Sequence, residues 1–581
     1  MRVRLARTAG FCMGVRRAME LALWAAHHAR RPLFTFGPLI HNPQVLALLR
    51  DKGVEELERV PPPGSLSGGT VIIRAHGVPP EQRRGLKAAG FTQVIDGTCP
   101  RVVRVQAVIR RAARAGRGVV IVGDADHPEV VGLLGHSQGR GRVVSRPEEV
   151  EALPELERPV VVAQTTQNQE VFAAVVERLR ARFPALEVHD TICEATHRRQ
   201  EEVRRLAREV EGIVVVGGRA SGNTRRLAEV AAAAGARVFL VESEAELDRA
   251  ALARLGSVGL TAGASTPNWV IRRLMRELTA IRSQKESRFR FWARRVFRFL
   301  VLSQLWVALG AAGMAVACCL LMGLALKGEL VAAAFFYIYA MHVLNQFLDK
   351  EAGQYNDPDR AHFLSKHHRF LVGSGVVSSA AALGLCYTLG WLPLGLVAVM
   401  SVMGLLYSVP LAPRWLTRRT GIQRLKDIPG SKTLSAAVAW AFTVVVLPAV
   451  ALGPPPAAAA GVAFVYTLVL VLVRCALFDV LDVQGDLIVG KETIPILLGE
   501  ERTRRLLWWL TAGLAGLMIL AAGAGLVPDL GLWLCLPVAG MAAMQFVQAR
   551  AWITPGVLSE GLADLNFWLA GLVALVWRAW G

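Results

Sequence analysis

Acidic residues are in short supply in this chain, with 46 Asp and Glu against 66 Lys and Arg, so the formal net charge is +20. Charge of either sign is sparse too, at 19% of residues against 53% hydrophobic, which excludes a disordered protein. Cysteine is rarer still. Eight in 581 residues exclude a disulfide scaffold, and no CxxC pair exists to suggest a zinc ribbon. The 54 Gly and 28 Pro follow no period, which excludes collagen-like and low-complexity classes. The opening MRVRLARTAGFCMG has no apolar core long enough for a secretory signal.

What is present is unevenly distributed. Up to about Lys285 charges are frequent and apolar runs are strand-sized; beyond it the runs are long enough to cross a bilayer. SQKESRFRFWARRVFRF, basic and aromatic, separates the two regimes and suits a membrane surface. The uncharged stretches Phe299–Leu326, Leu330–Leu348, Phe370–Pro413 (a double pass broken near Pro393), Thr433–Val473 (a double pass broken at Pro454–Pro456), Leu506–Pro528, Leu530–Ala549 and Leu565–Trp577 predict about nine spans. Connectors after the second, fourth and sixth carry KHHR, PRWLTRRTGIQRLK and ERTRR, whereas the odd-numbered ones are nearly free of Lys and Arg. The positive-inside rule then places the basic connectors and the N-terminal half in the cytoplasm, at the cell inner membrane as a multi-pass protein. The basic excess is topological, and no nucleic-acid partner is expected.

The first half alternates FTF, TVIIRA, VVIVGD, PVVVAQ, GIVVVGG and VGLTAG with helical patterns, an α/β organisation with buried, largely parallel strands. Cys12, Cys99 and Cys193 each follow a strand-like run (VRLA, TQVID, LEVHD) and precede a helix-like one, at nearly equal intervals. Three pseudo-repeated lobes, each with a thiol at a strand end, are expected; such ends are where α/β sheets bind ligands. Three separate buried thiols are one reading. The other is an iron–sulfur cluster, which accepts thiolates from distant segments; with three ligands one iron stays open for substrate. His41 in GPLIHNPQV, His76 in IRAHGVP, and His127 with Glu129 in DHPEVVG occupy turns after strand-like runs. Singly each is an ordinary structural histidine; together they suit an anionic ligand. QTTQ at 164–167, SGNT at 221–224 and GAST at 263–266 are ordinary N-caps singly, and suit a diphosphate if they converge on one cleft.

AGFCMGVRRA, GPLIHNPQV, RAHGVP, DGTCP, HPEVVG, QTT, ICEATHRRQ, SGNTRRLAE and GASTPNWV resemble, in order and spacing over residues 1–282, the motifs of the 4-hydroxy-3-methylbut-2-enyl diphosphate reductases. The resemblance implies a [4Fe–4S] cluster on Cys12, Cys99 and Cys193, with His41, His76, His127, Ser221, Asn223 and Ser265 holding the diphosphate. It implies Thr165 beside the substrate hydroxyl and Glu129 as proton source, a neighbouring dianion raising its carboxyl pKa. Gly222 departs: the family often has a second Ser there, leaving a backbone N–H in place of a hydroxyl contact.

In the second half NQFLDKEAGQYNDPDR contains Asn345, Asp349, Asn356, Asp357, Asp359 and Arg360, and DVLDVQGDLIVGKETIP contains Asp479, Asp482 and Asp486, three carboxylates on one helical face. Solvated connector charge is the plain reading; two facing acidic clusters also suit Mg²⁺ bridging a diphosphate. DxxDxxxD followed by GKETIP, with Tyr407 in YSVP, resembles the UbiA-type intramembrane prenyltransferases over about residues 290–581. That resemblance implies an all-α membrane domain, Mg²⁺ held through Asn345, Asp349, Asp479, Asp482 and Asp486, and Arg360, Lys426 and Lys432 on the leaving diphosphate. The first motif departs at Gly353, where the family usually has Asp; Glu351, Asp357 or Asp359 are candidates to compensate.

The reading is thus a three-lobed α/β reductase at 1–282, a basic linker at 283–298 and a membrane prenyltransferase at 299–581. The expected partners are isoprenoid diphosphates, a ferredoxin- or flavodoxin-type electron donor and membrane lipid. Rival readings are a reductase on an inactive membrane anchor, and a membrane electron-transfer protein whose cluster relays electrons.

Overall fold

A computed structural model describes residues 1–348, 350–407, 424–428, 430–491, 493–550, 552–553 and 555–580. The chain divides into two units, Met1–Glu286 and Ser287–Gly581.

The first unit has twelve strands: β1 (Arg2–Leu5), β2 (Leu33–Phe36), β3 (Val54–Leu57), β4 (Thr70–Ile73), β5 (Gln93–Asp96), β6 (Val119–Val122), β7 (Gly141–Val144), β8 (Val160–Ala163), β9 (Glu187–His189), β10 (Gly212–Val216), β11 (Arg237–Val241) and β12 (Ser257–Ala262). They form three parallel four-stranded sheets, ordered β3-β2-β4-β5, β7-β6-β8-β9 and β11-β10-β12-β1. The orders are the same. In each lobe the first and third strands are central, the second and fourth are edges, and the chain reverses direction across the sheet between the two central strands. β1 fills the fourth place in the sheet built by β10, β11 and β12, so the first lobe is closed by joining the N-terminal strand to the last three.

The central strands TVII, VVIV, VVVA and GIVVV are buried along their whole length, because helices cover both faces of a parallel sheet. β3, β7 and β11 were not evident in the sequence. They are edge strands carrying charge (VEEL, GRVV, RVFLV), and only the burial of one side marks them.

The second unit is helical. Among the described residues seven helices are long and apolar enough to cross a membrane: Gly328–Phe347, His368–Leu389, Ser431–Leu452, Ala457–Val489, Glu500–Gly523, Leu530–Ala549 and Val557–Trp580. An eighth span is possible from Arg288–Leu302 and Leu305–Leu321, which meet at 68°; Trp391–Leu406 is apolar but shorter. The expected single span Phe299–Leu326 is therefore bent at Ser303–Gln304, where Gln304 adopts the left-handed conformation (φ 69°). The basic stretch expected as a linker is mostly the helix Arg288–Leu302. Asp349, part of the expected Mg²⁺ set, and connector residues 408–423 lie outside the described residues.

Candidate active site at the meeting of three sheets

Each of the three sequence-marked cysteines is the N-cap of a helix: Cys12 before Met13–His28, Cys99 before Pro100–Arg114, Cys193 before Glu194–Glu209. The three follow the edge strands β1, β5 and β9. Each backbone N–H donates to the loop after the neighbouring central strand: Cys12 to Ala264 O (3.2 Å), Cys99 to Ala75 O (2.9 Å), Cys193 to Thr165 O (2.8 Å). Those loops hold Ser265, His76 and Thr165. One repeated hydrogen bond per lobe thus ties a thiol to a polar side chain expected to meet substrate.

All three thiols line one cavity with His41, His76, His127, Glu129, Thr165, Ser221, Gly222, Asn223 and Ser265. The polar residues flank the crevices where strand order reverses: His41 and His76 beyond β2 and β4, His127 with Glu129 and Thr165 beyond β6 and β8, Ser221–Asn223 and Ser265 beyond β10 and β12. These are the crevices where open α/β sheets take ligands.

The cysteines are free and half-buried. Burial pushes the Cys99 thiol up; the N–H groups of Arg101 and Val102 pull it down, and the Cys12 and Cys193 thiols add to the rise. The three are therefore electrostatic neighbours that repel as thiolates, an arrangement suited to sharing a cationic centre. Gly14 is a residue the sequence did not single out: a Cβ there would collide with the Cys99 thiol. The donor set fits an iron–sulfur cluster with three protein ligands.

The three imidazoles form a triangle, with ring centroids 4.8 Å apart for His41–His76, 5.3 Å for His76–His127 and 5.7 Å for His41–His127. Burial lowers the pKa of all three, that of His127 to about 4. The Glu129 N–H donates to His127 Nδ1 (3.1 Å), so the ring proton of neutral His127 sits on Nε2. His41 Nε2, His76 Nδ1 and Asn223 Nδ2 are buried without a partner among the described residues, and Ser265 Oγ lies 3.4 Å from Ser221 Oγ. Three imidazoles at these distances also suit a cation. The surroundings are mixed but lean toward an anion: Arg74 acts on His41 and His76, Asp124 acts on His127 but is paired with Arg226 (3.0 Å), Arg225 also acts on His127, and the N-terminus of helix Gly222–Ala233 opens beside them.

Glu129 is 2% exposed and accepts from Thr165 twice, from N–H (2.7 Å) and from Oγ1 (2.8 Å). Burial raises its pKa, and the two Thr165 bonds oppose the rise. A buried carboxyl poised to hold a proton lies one hydrogen bond from a hydroxyl in the same cavity.

Residues 3–279 match the LytB protein family model and residues 305–568 match the UbiA prenyltransferase family model. The 4-hydroxy-3-methylbut-2-enyl diphosphate reductase of Pelobacter propionicus is 44% identical over 275 residues, which are 47% of this chain and 96% of that one. The chain belongs to the 4-hydroxy-3-methylbut-2-enyl diphosphate reductase family. It carries this reductase domain first and a UbiA prenyltransferase family domain second. A solved (E)-4-hydroxy-3-methyl-but-2-enyl diphosphate reductase is 40% identical, covering 48% of this chain and all of that one, with a TM-score of 0.39. A UbiA homolog from Archaeoglobus fulgidus, solved with GPP and Mg²⁺, is 16% identical, covering 48% of this chain and 99% of that one, with a TM-score of 0.36.

In the UbiA-family domain Asp479, Asp482 and Asp486 lie on the long helix Ala457–Val489. Asp486 accepts from Asn356 Nδ2 (2.8 Å), and Asp479 from the Thr433 hydroxyl. Lys432 acts electrostatically on both carboxylates. Asn356, not in the expected ligand set, is thus a member of the first motif that hydrogen-bonds to the second. Asp357 caps helix Pro358–Lys366 and pairs with Arg360, and Asp359 pairs with Arg298 (2.6 Å), so two of the three candidates to compensate for Gly353 are engaged in ion pairs; the Glu351 side chain is outside what the structure describes. Arg360 is also bound to Glu560, which shares Arg474 with Asp564. A diphosphate would have to compete for it. Asn345 lies on helix Gly328–Leu348, and Lys426 in the short helix Leu425–Asp427.

Proposed function

We propose that the first unit reduces 4-hydroxy-3-methylbut-2-enyl diphosphate to isopentenyl and dimethylallyl diphosphate. The observation that carries this is the convergence, in one cavity, of three unpaired thiols, a donor-rich anion pocket and a buried Glu129–Thr165 pair. The allylic C–O bond breaks and water leaves, while two electrons and two protons enter. When bound on Cys12, Cys99 and Cys193, a [4Fe–4S] cluster supplies the electrons and a Lewis-acid iron. The electrons come from a one-electron carrier of the ferredoxin or flavodoxin class.

The residues supply the rest. His127 Nε2–H, the Asn223 amide, the Ser221 and Ser265 hydroxyls, the Gly222 N–H and the imidazoles of His41 and His76 bind the diphosphate and exclude water from it. Glu129 holds a proton because burial disfavours its anion, and Thr165 Oγ1 passes it on to the leaving oxygen or the allylic carbon.

For the second unit the reading is Mg²⁺-assisted ionisation of an allylic diphosphate and transfer of its prenyl group to an acceptor. Mg²⁺ binds few carboxylates and the substrate's own phosphates, which suits Asn345, Asp349, Asp479, Asp482 and Asp486, and Asn356 joins them through its hydrogen bond to Asp486. The Lys- and Arg-rich connectors support a site on the cytoplasmic side of the inner membrane, by the positive-inside rule.

The test is anaerobic purification of the full chain in detergent, with iron analysis and turnover of the diphosphate under a low-potential one-electron reductant. Wild type should hold iron and consume substrate, and Cys99→Ser should lose most of both. An iron-loaded wild type that leaves the substrate untouched overturns the proposal.

A further inference from the structure

Two arginines that no expected role covers sit between the cysteine-bearing turns. Arg199, on the helix capped by Cys193, is 4% exposed. Its guanidinium donates to Gly10 O (2.6 Å), two residues before Cys12, and to Ala195 O (3.2 Å), two residues after Cys193. Arg17, on the helix capped by Cys12, donates to Thr98 O (3.1 Å), immediately before Cys99, and to Asp96 O (3.3 Å). The two side chains therefore connect the Cys193 turn to the Cys12 turn and the Cys12 helix to the Cys99 turn. A third contact reinforces the first: Glu202, on the Arg199 helix, accepts from the N–H groups of Arg7 (2.7 Å) and Thr8 (2.8 Å) in the loop leading to Cys12.

Hydrogen bonds to carbonyls leave the Arg199 charge uncompensated. Its Nε–H has no acceptor among the described residues. Burial opposes its charge, and the groups that favour it are the Cys12 and Cys193 thiols and the Glu202 carboxylate. The Glu202 oxygens are already engaged with Arg7 and Thr8. A buried cation beside two thiols, with a spare donor, is placed to meet negative charge in the cavity.

We infer that Arg17 and Arg199 are positioning residues for the iron–sulfur site, holding the three cysteine turns at one separation, and that the buried Arg199 charge offsets the negative charge of the thiolate-bound cluster. This rests on the reading that Cys12, Cys99 and Cys193 hold such a cluster. The thiolates outweigh the core charge and reduction adds more, so a nearby fixed cation favours the reduced state. Lys at 199 would keep the charge but not the planar fork that reaches two carbonyls. The Arg17 charge is exposed and screened by water, so its contribution is geometric.

The experiment compares the full chain, reconstituted anaerobically, with Arg199→Gln, Arg199→Lys and Arg17→Gln. It measures iron release to a chelator, cluster midpoint potential followed by electron paramagnetic resonance, and thermal unfolding. All three variants should release iron faster, by about 10-fold or more, the usual effect of losing an outer-shell partner. Only Arg199→Gln should also shift the potential downward, with Arg199→Lys restoring it. A structural role alone would not separate the glutamine from the lysine variant in potential. If Arg199→Gln does not fold, the release rates of the other two decide. Iron-loaded variants matching wild type in release and potential overturn this inference alone; a wild type that takes up no iron overturns the cluster reading with it.

Discussion

Glu129 shows how one side chain is tuned by position. Its carboxyl is buried, which favours the protonated form, yet it accepts two hydrogen bonds from Thr165, which keep it oriented. Glu129→Gln preserves shape but has no acidic proton. Turnover should fall by about 10²–10⁴ while iron content and substrate binding persist, as read by single-turnover kinetics and iron analysis. Gly222 makes the opposite case. A Cβ there would have no neighbour nearer than 3.9 Å, and one of those neighbours is His127 Nε2. Gly222→Ser should fold normally and add a hydroxyl to the anion pocket. The expected gain is about 0.5–1.5 kcal/mol, a severalfold lower KM with kcat little changed.

The turns after the central strands act together as an element-level device. Burial holds His41, His76 and His127 below the ordinary histidine range, His127 at about 4. Unfolding restores a value near 6.5, so below that pH the unfolded chain binds protons that the folded chain refuses. Stability present above pH 6.5 is therefore lost as pH falls toward 4. His127 alone contributes a loss on the order of 2 kcal/mol between pH 7 and 5. The thermal midpoint of the ligand-free protein should drop over that interval, and less so in His127→Asn. Pyrophosphate should reduce the drop in wild type, since a bound anion favours the imidazolium. A midpoint independent of pH over this range would remove the histidines from the account.

At the scale of the whole molecule, the first unit holds the reductase family domain and the second the UbiA prenyltransferase family domain. Asp482→Asn removes a charge that an ion needs in order to offset diphosphate charge, so Mg²⁺-dependent prenyl transfer should fall at least tenfold with reduction unchanged. Gly353→Asp probes the departure in the first motif. A Cβ at Gly353 meets nothing within 4 Å among the described residues, so the backbone there leaves room to begin a side chain. Transfer from a panel of allylic diphosphates should rise in this variant. If wild type and Gly353→Asp both transfer nothing to quinone, aromatic or lipid acceptors, the membrane unit is an anchor.

The sequence alone marked the candidate site residues of the first unit, because each stands in a short motif at a strand-to-helix junction, and chain-local patterns reveal such junctions. It likewise marked most of the membrane spans, where twenty apolar residues leave little alternative; the departures are the bend at Ser303–Gln304, which no proline marks, and Trp391–Leu406, which is shorter than a full span. The edge strands β3, β7 and β11 were hidden because half-exposed strands keep their charges. What only the tertiary structure decided is how distant pieces meet. β1 completes the sheet made by β10, β11 and β12, and three equivalent edge strands bring the thiols to one opening. Asn356, rather than Asp357 or Asp359, reaches Asp486, because the two aspartates are taken by Arg360 and Arg298. Gly14 and Arg17 stand in AGFCMGVRRA and Arg199 in ICEATHRRQ, but neither motif shows what these residues touch. Their roles follow from which backbone lies within reach once the three lobes close, a long-range property that no local pattern encodes.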